Sequence, residues 1–304
     1  MANATLALEP GTGRLVGALA VVGAGLVWSM GGLLVRATES DTWSVLIWRS
    51  LMVAVSIGAV LAWRRRGRVL LALRELGWSA PLGGLFIAIA MSGFVFALSL
   101  TTVFNAMMMI SAGPVLAAGL GWLVLRETVR RATWLAIAIA MVGVGFMVWD
   151  GLATDSLLGN LMALLSVAGF CAYTVLARAS KVQDSTPCVL LAGLIAGAVA
   201  FVMALQEGGA VWVGMHDLLL CLAMGSVQIA FGFVLYSFGA RRVPAAEGTL
   251  LAQTEALFGP LWVWMAFAER PSDPALVGGL ILLSAVVFQA ASGLRKRRPP
   301  VGIV

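Results

Sequence analysis

The sequence predicts an all-α polytopic membrane protein, ten transmembrane helices arranged as two inverted five-helix repeats. Three observations lead there. Of the 304 residues, 61% are hydrophobic and only 11% charged, at a mean hydropathy of +0.99, whereas a soluble domain carries about 25% charge. The apolar residues gather into charge-free runs long enough to cross a bilayer. The order of those runs repeats after 142 positions.

The helices follow in chain order. A first run, 15–35, carries no charge and matches the ~20 residues an α-helix needs to cross ~30 Å of hydrocarbon. It could be taken for a secretory signal, but Arg14 is the only basic residue before it and signal cores are shorter, about 7–15 residues. The second helix, 43–63, tolerates one charge, Arg49. The run 76–125 is 50 residues long. As one helix it would reach ~75 Å, so it folds back at the polar break TTVFN (101–105) into helices 79–100 and 106–125. Charge-free runs 132–149, 156–177, 185–206, 218–240 and 274–294 supply the fifth to eighth and the tenth helices, and 246–268, holding Glu255, the ninth. A β-barrel, the other structure that satisfies its backbone in lipid, needs polar–apolar alternation, and VLLAGLIAGAVAFVMAL does not alternate.

Charge sets the orientation. Seventeen of the 20 basic residues fall in the tails and loops that are cytoplasmic if the N-terminus is inside; Arg36 and Arg270 fall outside, and Arg49 lies within a helix. This is the positive-inside pattern. Both termini are therefore expected in the cytoplasm, with the chain in the cell inner membrane. The net charge of +6 reports orientation and contact with membrane lipid, not a nucleic-acid partner. Cys171, Cys188 and Cys221 lie in or beside apolar runs, and the single histidine is His216, so neither a disulfide framework nor a metal site is expected.

Displaced by 142 positions, each of the first five helices lands on a later apolar run without a gap. Arg36 falls on Arg178, Gly83 on Gly225, Trp122 on Trp264, Glu127 on Glu269 and Phe146 on Phe288. Five is odd, so the second unit enters the membrane from the opposite side. The expected organisation is a cytoplasmic tail (1–14), a first repeat (15–150), a second, inverted repeat (151–293) and a basic cytoplasmic tail (294–304). Inverted repeats build alternating-access transporters, with the substrate near mid-membrane between the halves. A channel-type protein without alternating access is the alternative from another class.

The stretches WSMGGLLVR (28–36) and FCAYTVLAR (170–178) open the two units, and PVLAAGLGWLVLRE (114–127) and EALFGPLWVWMAFAE (255–269) close their fourth helices on glutamate. With the five-plus-five plan, these stretches resemble the EamA type of the drug/metabolite transporter superfamily over about residues 15–293. One departure is that proline stands at Pro260 and not at the position of Ala256, which matches Pro114. The resemblance implies an exporter of small metabolites, amino acids first among them, with drug or nucleotide-like metabolite efflux as the alternative within the fold. It also implies a central cavity lined by helices 1, 3, 4, 6, 8 and 9. On those helices the candidate substrate residues are Trp28, Phe94, Asn105, Ser111, Phe170, Tyr173, Gln228, Tyr236, Gln253 and Glu255. An aromatic pocket with few polar groups suits a neutral amino acid; lipid contact or core packing is the competing reading for each aromatic.

Glu255 is an acid about halfway along a membrane helix, where a charge costs roughly 2.5–3.5 kcal/mol on insertion scales. It either meets a substrate amine or a proton, or makes a structural hydrogen bond. Arg49 reads first as a side chain snorkelling to the outer interface, with carboxylate recognition as the second reading. Pro114 and Pro260 each remove an N–H and free the carbonyl four residues earlier, as hinges or as plain kinks. Trp43, Trp63, Trp78, Trp134, Trp149 and Trp212 fall at helix ends and read as interface anchors. Small-residue rows such as Gly113–Ala117–Gly121 let helices approach. No GxxxxGK[ST] loop is present, and GTGRLVG (11–17) follows no strand, so no nucleotide cofactor is expected. One loop histidine and one intramembrane acid do not assemble an enzyme site. No cofactor is implied, and a single copy is compatible with the reading.

Overall fold

The computed structural model describes residues 10–126, 131–153, 156–180, 184, 186–243, 248 and 251–294, and among them it holds helices and no strand. In chain order the helices are α1 (Pro10–Arg36), α2 (Thr42–Arg64), α3 (Val69–Glu75), α4 (Ser79–Leu100), α5 (Val103–Ser111), α6 (Gly113–Leu125), α7 (Arg131–Ala153), α8 (Leu157–Ala179) and α9 (Thr186–Gln206). They are followed by α10 (Met215–Ala240), α11 (Thr254–Phe267) and α12 (Asp273–Leu294). Glu127, Arg130, Lys181, residues 1–9 and residues 295–304 lie outside the described residues.

Seven of these helices are long and apolar enough to cross a membrane, and an eighth span results if α5 and α6, bent by 41° at their junction, count as one. The chain is a multi-pass membrane protein. Of the two remaining expected spans, α11 has 14 residues, and α12 runs 22 residues, from Asp273 to Leu294. The break foreseen at 101–105 is present. Thr101 is extended, and Thr102 caps α5 by accepting from the Asn105 N–H at 3.2 Å. α1 begins at Pro10 and so takes in part of the expected tail. The short helix α3 was not foreseen, because its stretch of arginines and leucines carries no span signal.

Packing joins the two halves of the chain. α4 lies against α8 and α9, and α10, which the 142-residue register pairs with α4, lies against α1 and α2, the register partners of α8 and α9. α2 packs on its own register partner α9, and α7 on α12. These pairs run antiparallel. On α2 and α9, Trp43 Nε1 donates to Glu207 Oε2 at 2.8 Å, Gly193 faces Ser50 and Ala54, and Gly58 faces Leu190. On α4 and α8, Leu100 meets Gly159, Gly93 meets Ser166, and Gly83 meets Tyr173. The backbone repeats as well: α6 ends on Arg126 at φ 54° and α11 on Ala268 at φ 55°, matched positions that are both left-handed without being glycine.

Backbones touch where glycines interlock. A Cβ at Gly143 would stand 2.7 Å from the Gly278 carbonyl oxygen and 2.9 Å from Leu282 N, atoms that cannot yield without moving a helix. Gly113, expected at such a contact, has open space where its Cβ would be, although its carbonyl accepts from Cys171 of α8 at 3.4 Å. Gly143→Ala is therefore expected to destabilise by about 1–3 kcal/mol. Gly145→Ala, whose Cβ would meet nothing within 4 Å, should melt at or above the wild-type temperature in the same detergent. Equal melting of the two variants would refute the close contact.

Four of the six anchor tryptophans stand out of the bundle: Trp63, Trp78, Trp149 and Trp212 are each at least 73% exposed, whereas Trp134 is 42% exposed and Trp43 is half-buried with its ring 4.6 Å from that of Phe96. Arg49 corrects its first reading. It is 1% exposed, because α4, α9 and α10 close round α2 and leave its stem no route to the interface.

Candidate functional site: a packed core and an outer cavity

Two constellations emerge, one in the core and one at the end where α1, α4 and α11 finish. In the core, the Trp28 and Tyr236 rings lie 5.3 Å apart at 40°. Gln228 Nε2 donates to the Trp28 carbonyl at 3.2 Å, and the same amide presses with Phe94 against Gly31, where a Cβ would collide with Nε2 and stand 3.2 Å from the ring. A larger residue there would displace the Gln228 amide from its place beside α1. Gln228 sits in a π-helical segment, Ala223–Phe231, inside α10. Such segments are frequent at functional sites, and this one was not legible beforehand. Phe94 in turn faces Arg49, whose Cζ lies 5.6 Å from the ring centroid. Trp262 Nε1 donates to Ser29 Oγ at 2.9 Å and ties α11 to the same stretch of α1.

At the other constellation, Arg36 ends α1, where a cation complements the helix dipole. Its Nε lies 3.0 Å from Glu269 Oε2, and one terminal nitrogen donates to the Thr101 carbonyl at 2.8 Å. Glu269 Oε1 accepts the first N–H of α5, from Val103, at 2.6 Å. One carboxylate thus joins the ends of α1 and α11 to the start of α5. Beside it opens a cavity of about 450 Å³, lined by Arg36, Ser99, Leu100, Thr101, Thr102, Asn105, Ser156, Arg270, Pro271 and Ser272. That is within the ~300–1,000 Å³ usual for small-molecule sites. Asn105 Nδ2 donates weakly to Thr101 Oγ1 at 3.4 Å, Thr101 Oγ1 donates to Asn160 Oδ1 at 3.0 Å, and Asn105 Oδ1 is buried without a partner.

The ten candidate residues are accordingly distributed. Trp28, Phe94, Gln228 and Tyr236 form the core cluster, and Asn105 lines the outer cavity. Ser111 is buried and donates to its own helix, at Met108 O, 2.7 Å. Tyr173 is buried where α8 meets Gly83 of α4. Phe170, the register partner of Trp28, is 57% exposed. It stands on α8 between the face that packs α4 (Ser166, Gly169) and the face that packs α6 (Cys171), away from the exposed strip Leu158, Leu161 and Leu165. Gln253 and Glu255 are half-buried. Glu255 lies in the first turn of α11, next to Thr254, which packs on Gly25. Among the described residues its carboxylate has no hydrogen-bond or ion-pair partner. Pro114 opens α6 directly after the bend, whereas α11 continues through Pro260 without interruption. The cavity arginines and hydroxyls were not singled out from sequence; the register match of Arg36 and Glu269 with Arg178 and Glu127 was the available signal.

The profile of the EamA-like transporter family matches residues 15–149 and again 157–290, two matches whose starts lie 142 residues apart. An "Uncharacterized transporter YwfM" of Bacillus subtilis is 25% identical over 190 residues, 62% of this chain and 64% of that protein. An "Uncharacterized transporter" of Archaeoglobus fulgidus is 24% identical over 207 residues, 67% of this chain and 73% of its own length. The chain thus spans a little under two thirds of the Bacillus protein, and 53% of a yeast membrane protein that is 23% identical. A crystal structure with a TM-score of 0.63 and 19% identity covers 95% of this chain and 99% of its own, a likeness of fold.

Proposed function

Because the chain belongs to the EamA-like transporter family, we propose that it is a secondary transporter of the cell inner membrane that exports small metabolites, amino acids foremost. Export runs by alternating access between two inverted five-helix units, 15–150 and 151–293. On this reading α5 and α6 form one span and α11 and α12 complete the ten. The observation that carries it is the antiparallel packing of register-matched helices, α2 on α9 and α7 on α12. Such pairs are what two oppositely inserted copies of one unit produce. The core cluster lies between the units, and the cavity beside Arg36 and Glu269 is its outer vestibule. The bend before Pro114 lets the fourth helix close one side as the other opens, and in the ninth helix the proline is displaced to Pro260, four residues past the position that matches Pro114. The partners are a small-molecule substrate and membrane lipid.

The test is counterflow. Proteoliposomes loaded with each of the twenty amino acids, with polyamines or with nucleosides should accelerate uptake of the same labelled compound for at least one amino acid. Uptake without trans-stimulation for any compound would establish a channel-type protein instead. Orientation is checked separately. Reporter fusions after Ala153 and Gly209 should read periplasmic, and fusions after Val69, Val129 and Ser180 cytoplasmic, as the distribution of arginine and lysine requires. A cytoplasmic signal at Ala153 would make the halves parallel and end the inverted-repeat reading.

A further inference from the structure

We propose that Arg49 is the fixed positive charge that receives the carboxylate of the transported amino acid. The inference rests on the transporter reading and deepens it by naming a charge the substrate must carry.

The guanidinium is buried on α2 with a side chain 1% exposed, yet it has no ion-pair partner among the described residues. Of its five donors, one reaches the Met91 carbonyl at 3.4 Å, and Nε is buried with none. Asp217, the acid on the adjoining α10, is engaged elsewhere: its carboxylate accepts from the Glu39 N–H (3.2 Å) and the Ser40 N–H (2.7 Å) and pairs with His216. An uncompensated cation inside a membrane protein is costly, and such residues mark substrate or ion pathways. A structural arginine would be expected to bind a carboxylate or several carbonyls of its own protein.

The surroundings say which anion fits. The guanidinium lies over the Phe94 ring. Against the same ring, across Gly31, is Gln228, whose Oε1 is also buried without a partner while its Nε2 is held by the Trp28 carbonyl. An orphan donor and an orphan acceptor thus flank one aromatic ring, with Trp28 and Tyr236 beside them. A neutral apolar α-amino acid complements that set. Its carboxylate takes the guanidinium fork, its ammonium donates to Gln228 Oε1, and its side chain lies among the rings. Phe94 lies against the guanidinium and beside Gln228 at Gly31, so its rotation is the movement that would admit the carboxylate.

The experiment uses the full chain in proteoliposomes, with leucine, phenylalanine, valine and methionine as probes and their carboxamides as controls. Wild type should show counterflow for at least one of the four acids and prefer it over its amide on the order of tenfold or more. Arg49→Met should bring that ratio to about one. Arg49→Lys, which keeps the charge without the fork, should retain the preference but bind the acid several-fold more weakly. An unchanged acid-to-amide ratio in Arg49→Met overturns the proposal, as does Arg49→Lys with wild-type affinity, even if the methionine variant fails to fold. Counterflow for a polyamine or nucleoside but for none of the four acids also overturns it and leaves the transporter reading standing. Absence of counterflow for every compound removes the transporter reading itself.

Discussion

Glu255→Gln is expected to lower counterflow on the order of tenfold or more, the effect of about 1.4 kcal/mol of lost interaction, with folding and expression retained. The carboxylate is half-buried in the first turn of α11, beside the α1 segment that carries Trp28, and has no partner among the described residues. A neutral, nearly isosteric amide removes the charge and leaves the shape. If the acid meets the substrate amine or a proton, turnover falls and any dependence of the rate on pH flattens. The competing structural role is favourable interaction with the N-terminus of α11, worth typically 0.3–1 kcal/mol. Loss of that interaction would lower the melting temperature slightly and leave turnover alone. Counterflow against pH, at matched protein levels, separates the two, and superimposed curves would remove Glu255 from the site.

The second large effect is on stability. Glu269→Ala removes both the counter-ion of Arg36 and the acceptor of the Val103 N–H. A hydrogen bond to a charged group contributes about 1.5–3 kcal/mol, and the pair is only 29% and 20% exposed, so solvent screens it incompletely. Thermal unfolding in detergent should drop by roughly 3–10 °C. Glu269→Gln, whose amide oxygen still accepts from Val103, should lose clearly less. Melting of Glu269→Ala within a degree of wild type would show that the three helix ends are held by something else.

The bilayer made the long helices legible, since an unsatisfied backbone cannot cross it and each span must therefore appear as an uninterrupted apolar run. The break at Thr101–Thr102 was legible for the same reason, as a polar interruption in a run too long for one crossing. Arg49 was misread because depth is decided by helices from elsewhere in the chain; a long aliphatic stem fits an interface or an interior equally well, and only the packing of α4, α9 and α10 chooses. Trp28 and Phe170 show the same limit. They hold matching places in two similar stretches, yet one stacks on Tyr236 and the other is largely exposed. The π segment around Gln228 has no local marker, and Gly143 sits at a close helix contact whereas a Cβ at Gly113 would meet open space, a distinction that needs the partner helix.

All the extensive helix pairings among the described residues join the first half of the chain to the second: α1 to α10 and α11, α2 to α9 and α10, α4 to α8 and α9, α7 to α12. During synthesis this order has a cost in time. Chains grow at about 5–20 residues per second, so the glycine faces of the first half wait in the membrane from roughly 4 s, for α4 to meet α8, to roughly 45 s, for α1 to meet α11, before their partners emerge from the ribosome. Throughout that interval α1, α2, α4 and α7 are inserted but have nothing to close against. A first half made alone is therefore expected to be degraded by membrane proteases, and two halves made as separate chains in the same cell should rescue one another.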